Sequence, residues 1–249
     1  MGLKIEIFNG QKKEVDGLGL SFTSDVEYVN GVNAAGIYAK ADHVNGVNAG
    51  GLCARTDHVK GVNAAGGVAV ADYVNGVNAA GLVAGADHVN GVNAGGIYAE
   101  ADHVKGVNAG GLGAGADHVK GVNVGGLGAG ADHVKGVNAG LVAGAYHVKG
   151  VNVGGLGAGA DHVKGVNAGL VAGAYHLNGV NAGGIVGIVL DEINGVEIGA
   201  INYAKEGNYL QIGLINFRGV GPWYTRFSPI IGWHRKKKSK KNLDKYMEE

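Results

Sequence analysis

The chain is predicted to be all-β: a repeat β-solenoid with about two short strands in each coil of 14–15 residues. Three observations predict it. First, one unit, typified by GVNAGGLVAGADHVN, recurs at Gly31, Gly46, Gly61, Gly76, Gly91, Gly106, Gly121, Gly136, Gly150, Gly165 and Gly179. Second, glycine stands at several places in most units, which in a helix would cost about 1 kcal/mol each relative to alanine. Third, turn signals recur in fixed phase. Asn-Gly or Lys-Gly joins the units, and Gly-Gly divides the two halves of most of them. An array of antiparallel hairpins, with each Asn-Gly a two-residue turn, satisfies the same strand count. The solenoid is preferred because near-identical units stack as ladders about 4.8 Å apart. About fourteen coils would make a rod of roughly 65 Å.

The elements follow in order. Residues 1–16 hold an alternating strand (Leu3, Ile5, Ile7) expected to cap the first coil. Residues 17–217 form the repeat. In its second half Leu52, Ala54 and Thr56 alternate with Cys53 and Arg55. Charge at the second set of positions (Lys40, Arg55, Glu100) predicts that the first set faces in. In the first half, Val47 and Ala49 are expected inside and Asn48 outside, since Glu197 and Gln211 replace the asparagine in late units while Ile198 and Ile212 replace the alanine. Two units lose a residue at Ala139-Gly140-Leu141 and Ala168-Gly169-Leu170. A deletion within a strand would invert every later side chain, so the glycine pair marks a corner. Residues 218–234 hold both prolines and both tryptophans, and are expected to plug the end. Residues 235–249 carry the basic run Arg235-Lys236-Lys237-Lys238-Ser239-Lys240-Lys241, expected as a disordered tail that could touch acidic lipid or nucleic acid.

Composition excludes several classes. Glycine numbers 50 and proline 2, so the chain is neither collagen-like nor a proline-rich linker. The hydrophobic fraction of 46% argues against disorder. Net charge is zero, which gives no strong nucleic-acid signal. Cys53 is the only cysteine, so no intrachain disulfide is available. No stretch has the pattern of a signal peptide or a transmembrane helix, and a cytoplasmic location is expected.

The late units read GVEIGAINYA from Gly195 and YLQIGLINF from Tyr209, followed by PWYTRFSPIIGW. They resemble the GVQIGLIN-type "surface repeat" family of spirochaetes and Bacteroidetes. The resemblance is strong over about the last quarter before the tail, and the main array shares only its frame. It implies a repetitive fold and supplies no catalytic residues.

Histidine holds one position of the unit, usually after aspartate. Asp102, His103, Asp117, His118, Asp132 and His133 are the residues a metal-binding array would use. The competing reading is a corner in which Asp caps backbone amides and His fills space. The glycine strings lack the strand-then-helix setting of a dinucleotide site, and no cofactor is expected. Gly113, Gly115, Gly128, Gly130, Gly157 and Gly159 occupy outward positions that elsewhere carry Tyr38, Lys40, Tyr98 and Glu100. A glycine-only face lets another backbone approach closely. The expected function is therefore non-catalytic: a structural or interaction protein with an unknown protein partner or self-association. The alternative is a ligand- or metal-binding array on the Asp-His and Asn ladders.

Overall fold

A computed structural model describes residues 5–236. It is a β-solenoid of about 14 turns. The strands β1 (Ile5–Ile7), β2 (Gly10–Gly50), β3 (Cys53–Ala65), β4 (Val68–Ala80), β5 (Val83–Gly95), β6 (Tyr98–Gly110), β7 (Gly113–Gly125), β8 (Gly128–Ile198), β9 (Ile201–Arg218) and β10 (Phe227–His234) form one sheet in sequence order. β1 to β9 run parallel, and β10 lies antiparallel on β9. Residues fifteen apart pair through the array, as Val44 with Val59 and Val59 with Val74. The hairpin alternative is excluded by this parallel register. β2 and β8 are long because the ladder continues unbroken round the corners.

Each coil has three sides, because inward–outward alternation breaks three times. In one coil Asn48, Gly50, Ala54, Thr56 and Val59 point in. The breaks fall at Gly51–Leu52, at Asp57–His58 and at Lys60–Gly61. The last corner explains the most regular residue of the unit. Its glycines have φ from +132° at Gly31 to +154° at Gly195, and a Cβ on Gly61 would lie 2.1 Å from the Gly46 carbonyl oxygen. No L side chain fits there.

Two expectations of facing are overturned. Leu52, Leu82, Ile97, Leu112 and Leu127 are not core residues: Leu52 is 63% exposed and Leu112 51%. They stand on the corner after the glycine pair, where the chain bends before alternation resumes at the buried Ala54. They still stack coil upon coil, with Leu112 N–H donating to the Ile97 carbonyl at 2.8 Å. Asn48 and its equivalents are inside, at 0% exposure from Asn33 to Asn181, while Val47 and Ala49 are only half-buried.

The core is thus of two kinds. Valine and alanine columns fill one corner, as Val59, Ala71, Val74, Val89 and Val104. Elsewhere a single file of amides fills the coil. Each Asn Nδ2 donates to the Oδ1 of the Asn one coil on, at 2.8–3.1 Å from Asn33 to Asn181. The same Nδ2 also reaches carbonyls on two strands; for Asn108 these are Ala99 at 3.2 Å and Gly115 at 2.8 Å. A hydrogen-bonded amide file is stable in a low-dielectric interior, whereas one missing member leaves the Oδ1 of the next without its donor.

The ends are closed differently from the expectation. β1 stacks in parallel register on Leu18–Leu20, and Ile5 and Ile7 are 58% and 84% exposed. The N-terminal segment is therefore a partial first coil, and Phe8 is the residue packed against the Val15–Val26–Val29 cluster. At the other end Trp223 and Trp233 are 82% and 75% exposed, so the aromatics do not plug the core. The cap works through β10, which pairs with the edge of β9. Pro229 and a register shift at Pro229/Ile230 then leave β10 a poor template for another strand. Of the basic tail only Arg235 and Lys236 are described, and the expectation for the rest lies outside the described residues.

The amide file sets a clear expectation for mutation. Asn108→Ala should lower stability by about 1–3 kcal/mol, since Asn123 Oδ1 loses its donor inside the coil while Asn93 Nδ2 keeps only its carbonyl partners Ala84 and Glu100. Leu112→Asp, at an exposed corner, should change it by less than about 1 kcal/mol. Urea melts of the two variants check the order; a larger loss for Leu112→Asp would refute the assignment of inside and outside.

Candidate interaction surface

The three sides differ in outward chemistry. One side and its corners carry all the regular polar residues: Asp, then His, then Asn or Lys, as in Asp102, His103 and Lys105, all exposed. The other two sides turn valine, alanine, leucine and glycine outward through most of the array. The solenoid is amphipathic around its circumference.

On the polar side the rings form a continuous stack from Tyr28 to His176. His103 and His118 lie 4.8 Å apart between centroids and 1° from parallel. The expected role of histidine as corner filler is only partly met, since the rings fill no interior and stack on one another in solvent. This geometry bears on metal binding. Lone pairs of parallel rings lie in the ring planes and point the same way. Two imidazoles on one Zn²⁺ need nitrogens within about 4.2 Å of each other, twice the Zn–N bond. Among the described residues no group of three His, Cys, Asp or Glu is placed to hold a metal ion, Asp102, His103, Asp117, His118, Asp132 and His133 included. The asparagine ladder, being fully buried, presents nothing to a ligand outside.

The lysine row Lys105, Lys120, Lys135, Lys149 and Lys164 lies beyond the histidines. Among the described residues these lysines make no ion pair with the aspartate row, from which the imidazole stack separates them. Ion pairs gather where the unit diverges. At one end Lys40 meets Asp25 at 3.0 Å. At the other Asp191 takes His176 at 2.9 Å and Lys205 at 3.1 Å. The hydrogen bond from Lys205 is the main reason the Asp191 carboxyl sits below its ordinary range.

On the apolar flank, Leu82, Leu112 and Leu127 form an exposed row. Beside it runs a shallow trough of about 770 Å³ floored by Ala49, Ala64, Ala79, Ala94 and Ala109. The second apolar side carries the glycine strip. A Cβ added at Gly128, Gly130, Gly157 or Gly159 would meet nothing within 4 Å. Gly113 and Gly115 differ, since the Tyr98 side chain folds over them: an added Cβ would lie 2.9 Å from its ring at Gly113 and 2.7 Å from its hydroxyl at Gly115. The predicted open strip is therefore covered at its first coil and open beyond. Gly115, Gly130 and Gly159 of the strip, with Gly144 and Gly173, line a groove of about 850 Å³ bordered by Asp102, Asp117, Asp132 and Asp161.

Glu197 is the one buried carboxyl among the described residues. It sits where the array has asparagine and is fully buried. Asn181 Nδ2 donates to its Oε1 at 3.3 Å, and Gln211 Nε2 donates to its Oε2 at 2.9 Å. A carboxylate accepts on both oxygens, so it ends a file of amides that donate toward it from either side. Room for the longer side chain comes from Gly187, where preceding coils have alanine: a Cβ there would lie 3.0 Å from Glu197 Cγ. Burial pushes the carboxyl up to about 7, against the pull of the hydrogen bonds from Gln211 and Asn181. The sign of the effect follows. The folded chain holds this proton more tightly than the unfolded chain, so the contribution of Glu197 to stability is greatest below about pH 4.5 and is lost as pH rises to about 7. The loss is roughly 3 kcal/mol.

Glu197→Gln removes the charge but turns an NH2 toward one of the two donating amides, so the stability gap between the variant and the unsubstituted chain should shift in the variant's favour from pH 5 to pH 8. Parallel urea melts at the two pH values measure it, and a gap independent of pH would show that the carboxyl is not neutral inside. Comparison with known proteins adds no relative: no family model, no curated protein and no solved structure matches the chain.

Proposed function

We propose that this chain is a non-catalytic structural or interaction rod that holds a protein partner against its apolar flank. The observation that carries the reading is the leucine row. Large apolar side chains 49%, 51% and 56% exposed, at Leu82, Leu112 and Leu127, recur in register along the flank. Scattered exposed leucines are ordinary, but a contiguous row marks a contact surface. The neighbouring trough and glycine strip are flat at backbone level and suit close approach. The repetition speaks in the same direction, since catalysis uses one unique constellation and this surface offers the same residues at every coil. The stacked imidazoles and the buried amide file give no support to a ligand- or metal-binding array. Among the described residues no helix is long and apolar enough to cross a membrane.

Hydroxyl-radical footprinting tests the reading. Leu82, Leu112 and Leu127 should be oxidised readily in dilute purified protein and protected several-fold in an extract of the source cells, with His118 equally reactive in both. Gly128→Lys/Gly130→Lys, which the open space accommodates, should fold normally and reduce protection on its own side. A leucine row equally reactive in buffer and in extract refutes the proposal.

A further inference from the structure

We propose that the partner is a second copy of this chain: two rods pair side by side and in parallel, the leucine row of each seated in the alanine trough of the other. This rests on the interaction reading above and names its occupant. The row and the trough are neighbours on one flank, three residues apart in most units, as Ala79 and Leu82, or Ala94 and Ile97; Gly67 interrupts the row, and Val124 and Val153 narrow the trough. Both repeat at the coil spacing, near 4.8 Å. A knob and a hole side by side at one period make a surface complementary to itself. Any other partner would need the same period over ten coils.

Symmetry then fixes the direction. A two-fold axis lying in the interface and along the rod exchanges left and right, and brings each leucine row onto the opposite trough. A two-fold axis across the rod would reverse the chains and set leucine against leucine. Ridge-into-groove packing therefore demands that both N-termini lie at the same end.

Area and charge agree. The exposed column runs from Ile37 to Ile185, about ten coil spacings, and is roughly 48 Å long. With a contact width of roughly 13 Å, one side of a coil, this buries about 600 Å² per copy and about 1,200 Å² in all. That reaches the lower bound for a specific protein pair. The positions in contact carry no charge, and the net charge of the whole chain is zero, so two copies do not repel. The C-terminal edge of β9 is already covered by β10, which removes that edge as a place for association.

Analytical ultracentrifugation of the full chain should show a species near twice 25.0 kDa. Leu82→Lys/Leu112→Lys/Leu127→Lys, all exposed positions, should shift it to monomer with the β circular-dichroism spectrum unchanged, and Asn90→Lys on the polar side should not. Spin labels at Asn45→Cys and at Lys120→Cys, in a Cys53→Ser background, read the direction. Parallel rods give equal label separations at both positions, whereas antiparallel rods make at least one far longer. A monomer at every concentration, an unchanged dimer in the triple variant, or unequal separations each overturn the pairing. So does ridge-dependent flotation of the monomer with phosphatidylcholine–phosphatidylglycerol vesicles. Footprinting distinguishes the two failures: a monomer whose leucines are protected in extract loses only the self-pairing, while one unprotected in extract loses the interaction reading too.

Discussion

Everything in this protein depends on one translation repeated at about 4.8 Å. Once coils stack in parallel register, every position of the unit becomes a column, and a residue is stabilised or penalised by copies of itself. For asparagine this is favourable, because an amide carries both a donor and an acceptor and each copy satisfies the next. Alanine and valine columns pack to constant thickness. For lysine the same translation sets like charges in file, tolerable only in water, and lysine is found at an exposed position. The distribution of residues round the coil is largely a sorting of side chains by what they do beside themselves.

The same principle explains where the array stops. An amide file has a direction, donating toward the C-terminus from Asn33 to Asn181. Glu197 ends it with two acceptors, and Gln211 donates from beyond. At the other end Asn33 Oδ1 has no donor among the described residues. The divergent units are thus the places where translation no longer supplies the partner. They are also where ion pairs such as Lys205–Asp191 take up the task.

Period, strand class and the corner at the glycine pair were legible in the sequence, because spacing and deletions report on them directly. Facing was legible in part. Ala54 and Thr56 lie inside as alternation requires. Leu52 does not, because the corner falls between it and them and alternation does not carry across a bend. Asn48 is expected outside because Glu197 and Gln211 replace it in late units, and singly such polar residues belong in water. In a stack the relevant unit is the column, and a column of amides is not a row of unsatisfied groups. A signal was present: asparagine never varies at this position from Asn33 to Asn181, while the outward positions run from Tyr98 and Glu100 to Gly113 and Gly115. The glycine strip faces outward beyond Gly115, but no sequence pattern announces that Tyr98 lies over Gly113. The leucine row is visible in the sequence as a column, but the same bend hides which side it faces.

The corner at the glycine pair has a consequence for how such a chain changes over generations. Losing one residue there, as at Ala139-Gly140-Leu141, leaves the buried columns on either side in phase, since Asn138 still reaches Asn152 at 3.0 Å. Losing or gaining a whole unit does so even more simply, because each coil meets only the one before and the one after. Near-identical units in a gene invite such gains and losses by misaligned copying. The rod is in this sense a ruler whose graduations can be added or removed singly, each changing its length by about 4.8 Å while both ends keep their structure.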